Sequence, residues 1–221
     1  MNSPKLLAVA VLITAAIIGA IVYSSRPKNL IERVEPSLDP ASLNVFQDQL
    51  RSAEQRVNDL PDSTSEEEKA TSYALLARAY YNLGEYKEAR EWFEKAVKTK
   101  KNIPVYLEYY NLLTAMQDFE GARDIARDGL EIYPFQIDIW KSLIALSRTK
   151  LEANDTEIIS LYLEALAKSE SHPDILADFA RYQEELGRPE EALKYWRAAL
   201  LKSPNTAFYQ EQVNRLEARL Q

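Results

Sequence analysis

Few side chains in this sequence are placed to do acid–base, nucleophilic or metal chemistry. The chain has no cysteine and a single histidine, His172, which precedes Pro173 between two helical segments. An enzyme needs a positioned nucleophile, base or metal, and a lone histidine with no second nitrogen or sulfur ligand does not supply one. The five glycines form no phosphate-binding loop. The sequence thus predicts no catalytic residue, metal, cofactor or small-molecule substrate.

Acidic residues occur in pairs and short runs that solvation explains. Glu184-Glu185 and Glu190-Glu191 fall on polar helix faces and turns. Glu66 to Glu68 fall in the first turn of a helical segment, where negative charge favours the helix dipole. An enzyme with an unrecognised site, built on a cluster such as Glu184 and Glu185, is therefore the least favoured function.

The aromatic residues are numerous enough to suggest stacking against sugars or nucleic-acid bases. There are thirteen tyrosines and three tryptophans. Most of them, including Tyr73, Tyr80 and Trp196, lie at the apolar steps of helical segments, so they are expected to pack in the core. The net charge is −7 with no basic stripe, which argues against nucleic acid as a partner.

The helical segments recur at a fixed spacing. One stretch combines large residues, small residues and a turn glycine: Tyr73-x2-Leu76-Ala77-x2-Tyr80, then Gly84, then Ala89-x3-Phe93. Ala122 follows Ala89 by 33 residues, and Gly187 follows Gly84 by 103, which is about three such periods. These residues and spacings resemble the tetratricopeptide repeat, a helix–turn–helix unit of about 34 residues.

The resemblance implies an all-α fold, a right-handed α–α superhelix of about four repeats with capping helices. The repeat region is expected at 67–204, with repeats at about 70–102, 103–136, 137–172 and 173–204. A capping helix with its connection is expected at 41–66 and a closing helix at 205–221. A small insertion is expected at 151–156, with Asp155 or Thr156 capping the next helix.

Residues 1–28 are predicted to form a single-pass membrane anchor with its flanks. Leu6 to Tyr23 is a run of eighteen uncharged residues, which as a helix reaches roughly 27 Å, just enough to cross a hydrocarbon core. A cleaved signal peptide ending near Ser24 is the alternative. Residues 29–40 are interpreted as a linker. Flanking positive charge slightly favours a cytoplasmic body, but such anchors commonly export the domain attached to them, so we expect an extracytoplasmic body, periplasmic or at the cell surface.

In the family that the sequence resembles, the first helices of the repeats line a peptide-binding groove. Carried over by repeat position, the groove residues of this chain are Arg78, Tyr81, Asn82, Asn111, Lys141, Arg148, Arg181 and Glu184. A family subtype clamps a carboxylate with basic and amide side chains, but Glu108 and Asp138 stand at two of those positions, so the clamp is absent. The basic residues predict a mildly basic wall and an acidic–apolar peptide as ligand.

Repeats and anchor together predict a membrane-anchored interaction scaffold. It would bind a protein or peptide and so assemble or stabilise a membrane-associated complex. A cytosol-facing membrane receptor that recruits soluble clients is the alternative, and the direction of insertion separates the two.

Overall fold

The computed structural model describes residues 30–221, and this part of the chain is helical. Its ten helices are α1 Pro40–Asn58, α2 Glu66–Asn82, α3 Tyr86–Thr99, α4 Ile103–Ala115, α5 Phe119–Ile132, α6 Ile137–Thr149, α7 Asp155–Lys168, α8 Pro173–Glu185, α9 Pro189–Lys202 and α10 Ala207–Leu220. Over the same residues there is no β-strand, only an isolated bridge between Arg33 and Glu85.

The predicted anchor at 1–28 lies outside the described residues. None of the helices within 30–221 combines the length and the apolar character that crossing a bilayer requires.

The described residues divide into two compact units. The first contains residues 30–100 and 111–122, and thus α1, α2, α3, the end of α4 and the start of α5. The second contains residues 101–110 and 123–221, with the remainder of α4 and α5 and all of α6 to α10.

Small residues let the helices of the first unit approach closely. α1 packs on α2, and α2 packs on α3. Ala77 and Ala89 have no exposed surface, and Ala53 of α1 is buried with Leu76 and Ala79. A methyl side chain at the contact permits a short distance between helix axes, so these alanines determine how near the helices lie.

A buried ion pair joins α3 to the start of α5 in the first unit. Arg90 Nη1 lies 3.1 Å from Asp118 Oδ2, and the two side chains are only 12% and 1% exposed. The other carboxylate oxygen of Asp118 accepts a hydrogen bond of 3.0 Å from the Gly121 N–H. Breaking such a pair leaves a buried charge without compensation, so it fixes this turn in place.

Residues 30–36, which we call the strap, run extended across two helix–helix turns of the first unit. The Val34 N–H donates to the Gly84 carbonyl, the Lys87 N–H donates to the Glu32 carbonyl, and the Ile31 N–H donates to the Met116 carbonyl, each at 3.0 Å. Arg33 and Glu85 form an ion pair of 3.0 Å. The sequence predicts a linker over 29–40, whereas the strap is docked. Main-chain hydrogen bonds require no side-chain periodicity, so no pattern indicates them.

Side-chain caps start the first two helices. Asp39 accepts hydrogen bonds of 3.0 Å from the N–H groups of Ala41 and Ser42, and Pro40 occupies the first turn of α1. Ser65 accepts from the Glu68 N–H at 3.2 Å at the start of α2. These bonds satisfy amides that have no acceptor within the helix.

The cap of α7 is Asn154, not Asp155 or Thr156 as the sequence predicts. Asn154 Oδ1 accepts from the Glu157 N–H at 3.1 Å, while Glu157 accepts from the Asn154 N–H at 3.0 Å. This reciprocal capping box satisfies two amides at once, which explains why the helix begins one residue earlier than expected.

Aromatic residues fill the core of the second unit. Trp140, Tyr162, Phe179 and Trp196 are each at most 1% exposed. The rings of Tyr162 and Phe179 stack with centroids 4.7 Å apart. The Trp140 indole N–H donates to the Pro134 carbonyl at 2.9 Å, so its polar edge is satisfied inside the core.

The turns after α2 and after α8 have the same backbone conformation. Gly84 has φ +77° and Gly187 has φ +70°, as the sequence predicts for turns that need an unhindered residue. In both turns the glycine N–H donates to the carbonyl three residues back and the next N–H to the carbonyl five residues back, at 2.9 or 3.0 Å. A Cβ at Gly84 would lie 1.9 Å from the Val34 carbonyl oxygen, whereas one at Gly187 would meet nothing within 4 Å.

Gly84→Ala and Gly187→Ala therefore form a matched pair. Both substitutions place a side chain at positive φ, and we expect Gly187→Ala to lower the free energy of unfolding by about 1 kcal/mol. Gly84→Ala also displaces the strap and its three main-chain hydrogen bonds, so we expect a loss of about 3 kcal/mol more. Urea unfolding followed by circular dichroism measures both. Equal losses would mean that the docked strap contributes nothing to stability.

Candidate protein-binding grooves

A groove lies between α6 and α8 in the second unit. It encloses about 440 Å³ and is lined by Lys141, Ser142, Ile144, Ala145, Arg148, Tyr162, Asp178, Arg181 and Glu185. Residues three or four apart on a helix share a face, so Lys141, Ala145 and Arg148 point to the same side of α6. The groove brings together three of the predicted site residues, which are Lys141, Arg148 and Arg181.

The charges in this groove are paired with one another. Arg148 forms an ion pair with Glu185, and Arg181 forms one with Asp178. Lys141 Nζ lies 4.0 Å from a carboxylate oxygen of the same Asp178. The wall therefore carries charges of both signs, and the carboxylates that pair with its cations are not part of the mildly basic wall that the sequence predicts.

Arg148 is held in position from two sides. Its guanidinium lies 4.7 Å from the centre of the Tyr182 ring, which favours a cation over the ring face. The Tyr182 hydroxyl donates to Asp155 at 2.8 Å and so fixes the ring between α7 and α8. Arg148 is thus a rigid part of the groove wall.

Glu184, another predicted site residue, does not line this groove and contacts two other helices instead. Its carboxylate accepts from the Trp196 indole N–H at 2.9 Å and from Arg215 at 2.6 and 2.8 Å. It therefore joins α8 to α9 and α10. Glu185, its neighbour, is engaged by Arg148, so packing and ion pairing account for this acidic pair.

Another cavity, of about 750 Å³, lies in the first unit between α1 and α2. Its lining combines apolar and charged side chains, namely Val45, Phe46, Asp48, Gln49, Ser52, Ala53, Arg56, Leu75, Arg78, Ala79 and Asn82. Arg78 and Asn82 are the predicted site residues found here. Val45 of α1 is 53% exposed, so this cavity presents apolar surface to solvent.

The remaining predicted residues lie elsewhere. Tyr81 stacks on Tyr86, with ring centroids 5.4 Å apart, at the junction of α2 and α3. Asn111 is exposed on α4.

Asp178 is a groove residue that repeat position does not indicate, and the ion pair of Glu185 with Arg148 is a contact that it does not indicate either. Each follows its cationic partner by 37 residues: Asp178 follows Lys141, and Glu185 follows Arg148. That spacing is one repeat plus one helical turn, so pairs of opposite charge at this interval were the available signal.

The lone histidine is a helix cap. His172 Nδ1 accepts from the Asp174 N–H at 3.3 Å at the start of α8. Across 30–221, no three side chains of the metal-binding types are grouped so that they could hold an ion.

A family model described as the tetratricopeptide repeat matches residues 70–103, which cover most of α2 and all of α3. Tetratricopeptide repeat protein 8 of Mus musculus is 24% identical over 119 residues, a match that covers 53% of this chain. The chain spans only about a fifth of that protein, since the match covers 22% of its length.

Solved structures share the fold. The crystal structure of MamA is 17% identical, with a TM-score of 0.54, and the match covers 79% of this chain and 100% of that one. The C-terminal part of a TPR repeat-containing protein from Cytophaga hutchinsonii is 14% identical, with a TM-score of 0.57, and the match covers 80% of this chain and 69% of that one. The chain thus contains a tetratricopeptide repeat and has the all-α fold of such proteins.

The hydrogen bond between Tyr182 and Asp155 makes the free energy of unfolding depend on pH in the alkaline range. Burial and the hydrogen bond to Asp155 raise the pKa of Tyr182 from 10.0 to about 12. Because the folded state favours the protonated phenol, this contribution is complete below pH 10 and is lost as the pH rises toward 12. We expect Tyr182→Phe to reduce the loss of unfolding free energy between about pH 9 and about pH 11.5, measured by urea unfolding.

That reduction should be partial. Burial and the hydrogen bond to Glu54 also raise the pKa of Tyr80 to about 12, so Tyr80 keeps its contribution in the variant. An unchanged pH dependence in Tyr182→Phe would contradict the assignment.

Proposed function

We propose that this chain is a membrane-anchored scaffold that binds a protein or peptide segment in the groove between α6 and α8 and thereby assembles or stabilises a membrane-associated complex. The groove carries this proposal, since it lies in a chain that contains a tetratricopeptide repeat. Repeats of this type mediate protein–protein interactions.

The charges of the groove favour an acidic side chain on the ligand. Three cations and two carboxylates line it, which leaves a net charge of +1 (3 − 2). Lys141 and Arg181, 46% and 57% exposed, share the single carboxylate of Asp178. Two cations that share one carboxylate can both pair with a further anion, so an aspartate or glutamate of the ligand fits between them.

The base of the groove supplies the apolar part of the site. Tyr162 and Ile144 lie there, and Ala145 leaves space on the wall of α6. A peptide that alternates acidic and apolar side chains therefore matches the chemistry of this groove.

The Lys141→Ala, Arg181→Ala double variant tests the groove. Each lost charged hydrogen bond weakens binding by roughly 1.5–3 kcal/mol, so we expect recovery of the partner from gently solubilised native membranes to fall at least about tenfold. Cross-linking and mass spectrometry of the full chain identify the partner and measure its recovery.

Arg197→Ala is the matched control. Arg197 is exposed and pairs with Glu217 on α10, away from the residues that line the groove. It should leave recovery unchanged. If the double variant folds normally and recovers the partner as well as the wild-type protein does, the groove is not the binding site.

The anchor is the second part of the proposal and rests on residues 6–23, which carry no charge. We expect the full chain to float with liposomes and a chain lacking residues 1–28 to remain unbound. Reporter fusions at the C-terminus separate the extracytoplasmic body that we propose from the cytosol-facing receptor. Flotation of both forms, or of neither, would contradict the anchor.

A further inference from the structure

The strap demonstrates how a helix–helix turn of this chain binds an extended segment. The Gly84 carbonyl accepts from the Val34 N–H, and the first-turn amide of Lys87 donates to the Glu32 carbonyl. Between these two bonds, Arg33 pairs with Glu85, the residue that follows the turn glycine. The strap covers Gly84, which is buried as a result.

The turn between α8 and α9 offers the same main-chain groups 103 residues later. Its glycine, Gly187, has the same positive φ and the same internal hydrogen bonds as Gly84. Glu190 occupies the position of Lys87, in the first turn of α9, where amides lack an acceptor within the helix. No side-chain cap hydrogen bond is made at this helix start.

Nothing covers this second turn within the described chain. Gly187, Arg188 and Glu190 are all exposed, and the space above Gly187 is open to 4 Å. We propose that this turn docks an extended segment of a partner protein that carries an acidic side chain, at a site separate from the groove between α6 and α8.

Arg188 sets the charge expected at one position of the partner, the position that Arg33 holds in the strap, while Glu190 and Glu191 lie further along, in the first turn of α9. Arg188 stands where Glu85 stands in the first repeat, and among residues 30–221 it has no ion-pair partner. A segment shaped like the strap would place its own Arg33 against Arg188, and like charges repel. An aspartate or glutamate at that position would instead reproduce the pairing of Arg33 with Glu85 in reverse.

Affinity at this turn should be lower than that of the strap for its own site. The proposal uses only the two main-chain groups that the turns at Gly84 and Gly187 share, whereas the strap makes a third bond, from the Ile31 N–H to the Met116 carbonyl. Two main-chain bonds and one exposed ion pair correspond to roughly millimolar binding by a short peptide. Saturation-transfer NMR observed on the peptide detects binding in this range.

Two peptides with the sequence of residues 30–36 test the proposal on the full chain, one native and one with Arg33→Glu. The strap's own site is filled by residues 31–34 of the chain itself, and Glu85 repels the acidic peptide there in addition, so the binding of either peptide reports on the second turn. We expect the acidic peptide to bind at least about fivefold more tightly than the native peptide, since a nearby opposite charge replaces a like one. Arg188→Glu should reverse this preference.

Lys202→Glu is the matched control for charge. This substitution makes the same reversal of charge at the other end of α9, about 20 Å away along the helix. It should leave the preference for the acidic peptide unchanged. A third peptide, with Val34→Pro in the acidic sequence, lacks the N–H that would reach the Gly187 carbonyl and should not bind.

Either of two results would overturn the proposal: the same peptide preference in wild-type protein and Arg188→Glu, or full binding by the proline peptide. The groove variant Lys141→Ala, Arg181→Ala should bind the acidic peptide normally. If this variant fails to bind the acidic peptide, the peptide occupies the groove. The proposal of a second docking site is then wrong, while the groove proposal stands.

Discussion

Close contact between helices through alanine is the constraint on which the rest of the structure depends. Ala77, Ala89, Ala180 and Ala192 have no exposed surface, and each belongs to a helix that packs on a neighbour, α2 on α3 or α8 on α9. A larger side chain would separate the helices or strain the core, at a cost of about 1–3 kcal/mol. The turns at Gly84 and Gly187 are tight because the helices that they join lie so near each other.

Charge pairs between equivalent helices of consecutive repeats form a second regularity. Lys141 with Asp178, Arg148 with Glu185 and Arg127 with Glu164 are all separated by 37 residues. Exposed pairs of this kind contribute only about 0–1 kcal/mol each, so they are not what holds the repeats together. In the groove between α6 and α8, these pairs leave Lys141 and Arg181 sharing the carboxylate of Asp178, which is the arrangement on which the proposed ligand site rests.

The parts of the fold that depend on side-chain pattern could be predicted from sequence, and the parts that depend on main-chain contacts could not. Ala89, Gly84 and Gly187 were identified because packing and positive φ restrict which residue types fit. No sequence pattern indicates the docked strap, since its hydrogen bonds involve backbone groups that every residue except proline has.

Within the candidate site, position was easier to predict than environment. Lys141, Arg148 and Arg181 do line one groove, as repeat position indicates. Repeat position predicts Glu184 beside them, yet its carboxylate contacts Trp196 and Arg215, because a residue at the end of a helix can reach the next helix as readily as the groove. Repeat position specifies the face of a helix, but the partner of a long charged side chain depends on its neighbours in three dimensions.

In a chain anchored as proposed, the docked strap would limit the distance between the first unit and the membrane. If residues 6–23 span the bilayer, a free linker from residue 24 to residue 40 would allow a separation of up to about 60 Å at roughly 3.5 Å per residue. With residues 31–34 bound to the first unit, only residues 24–30 remain to bridge the gap, and they reach about 25 Å at most. So short a connection would keep the first unit near the lipid headgroups, where it would meet the membrane-proximal parts of a partner and not its distant domains.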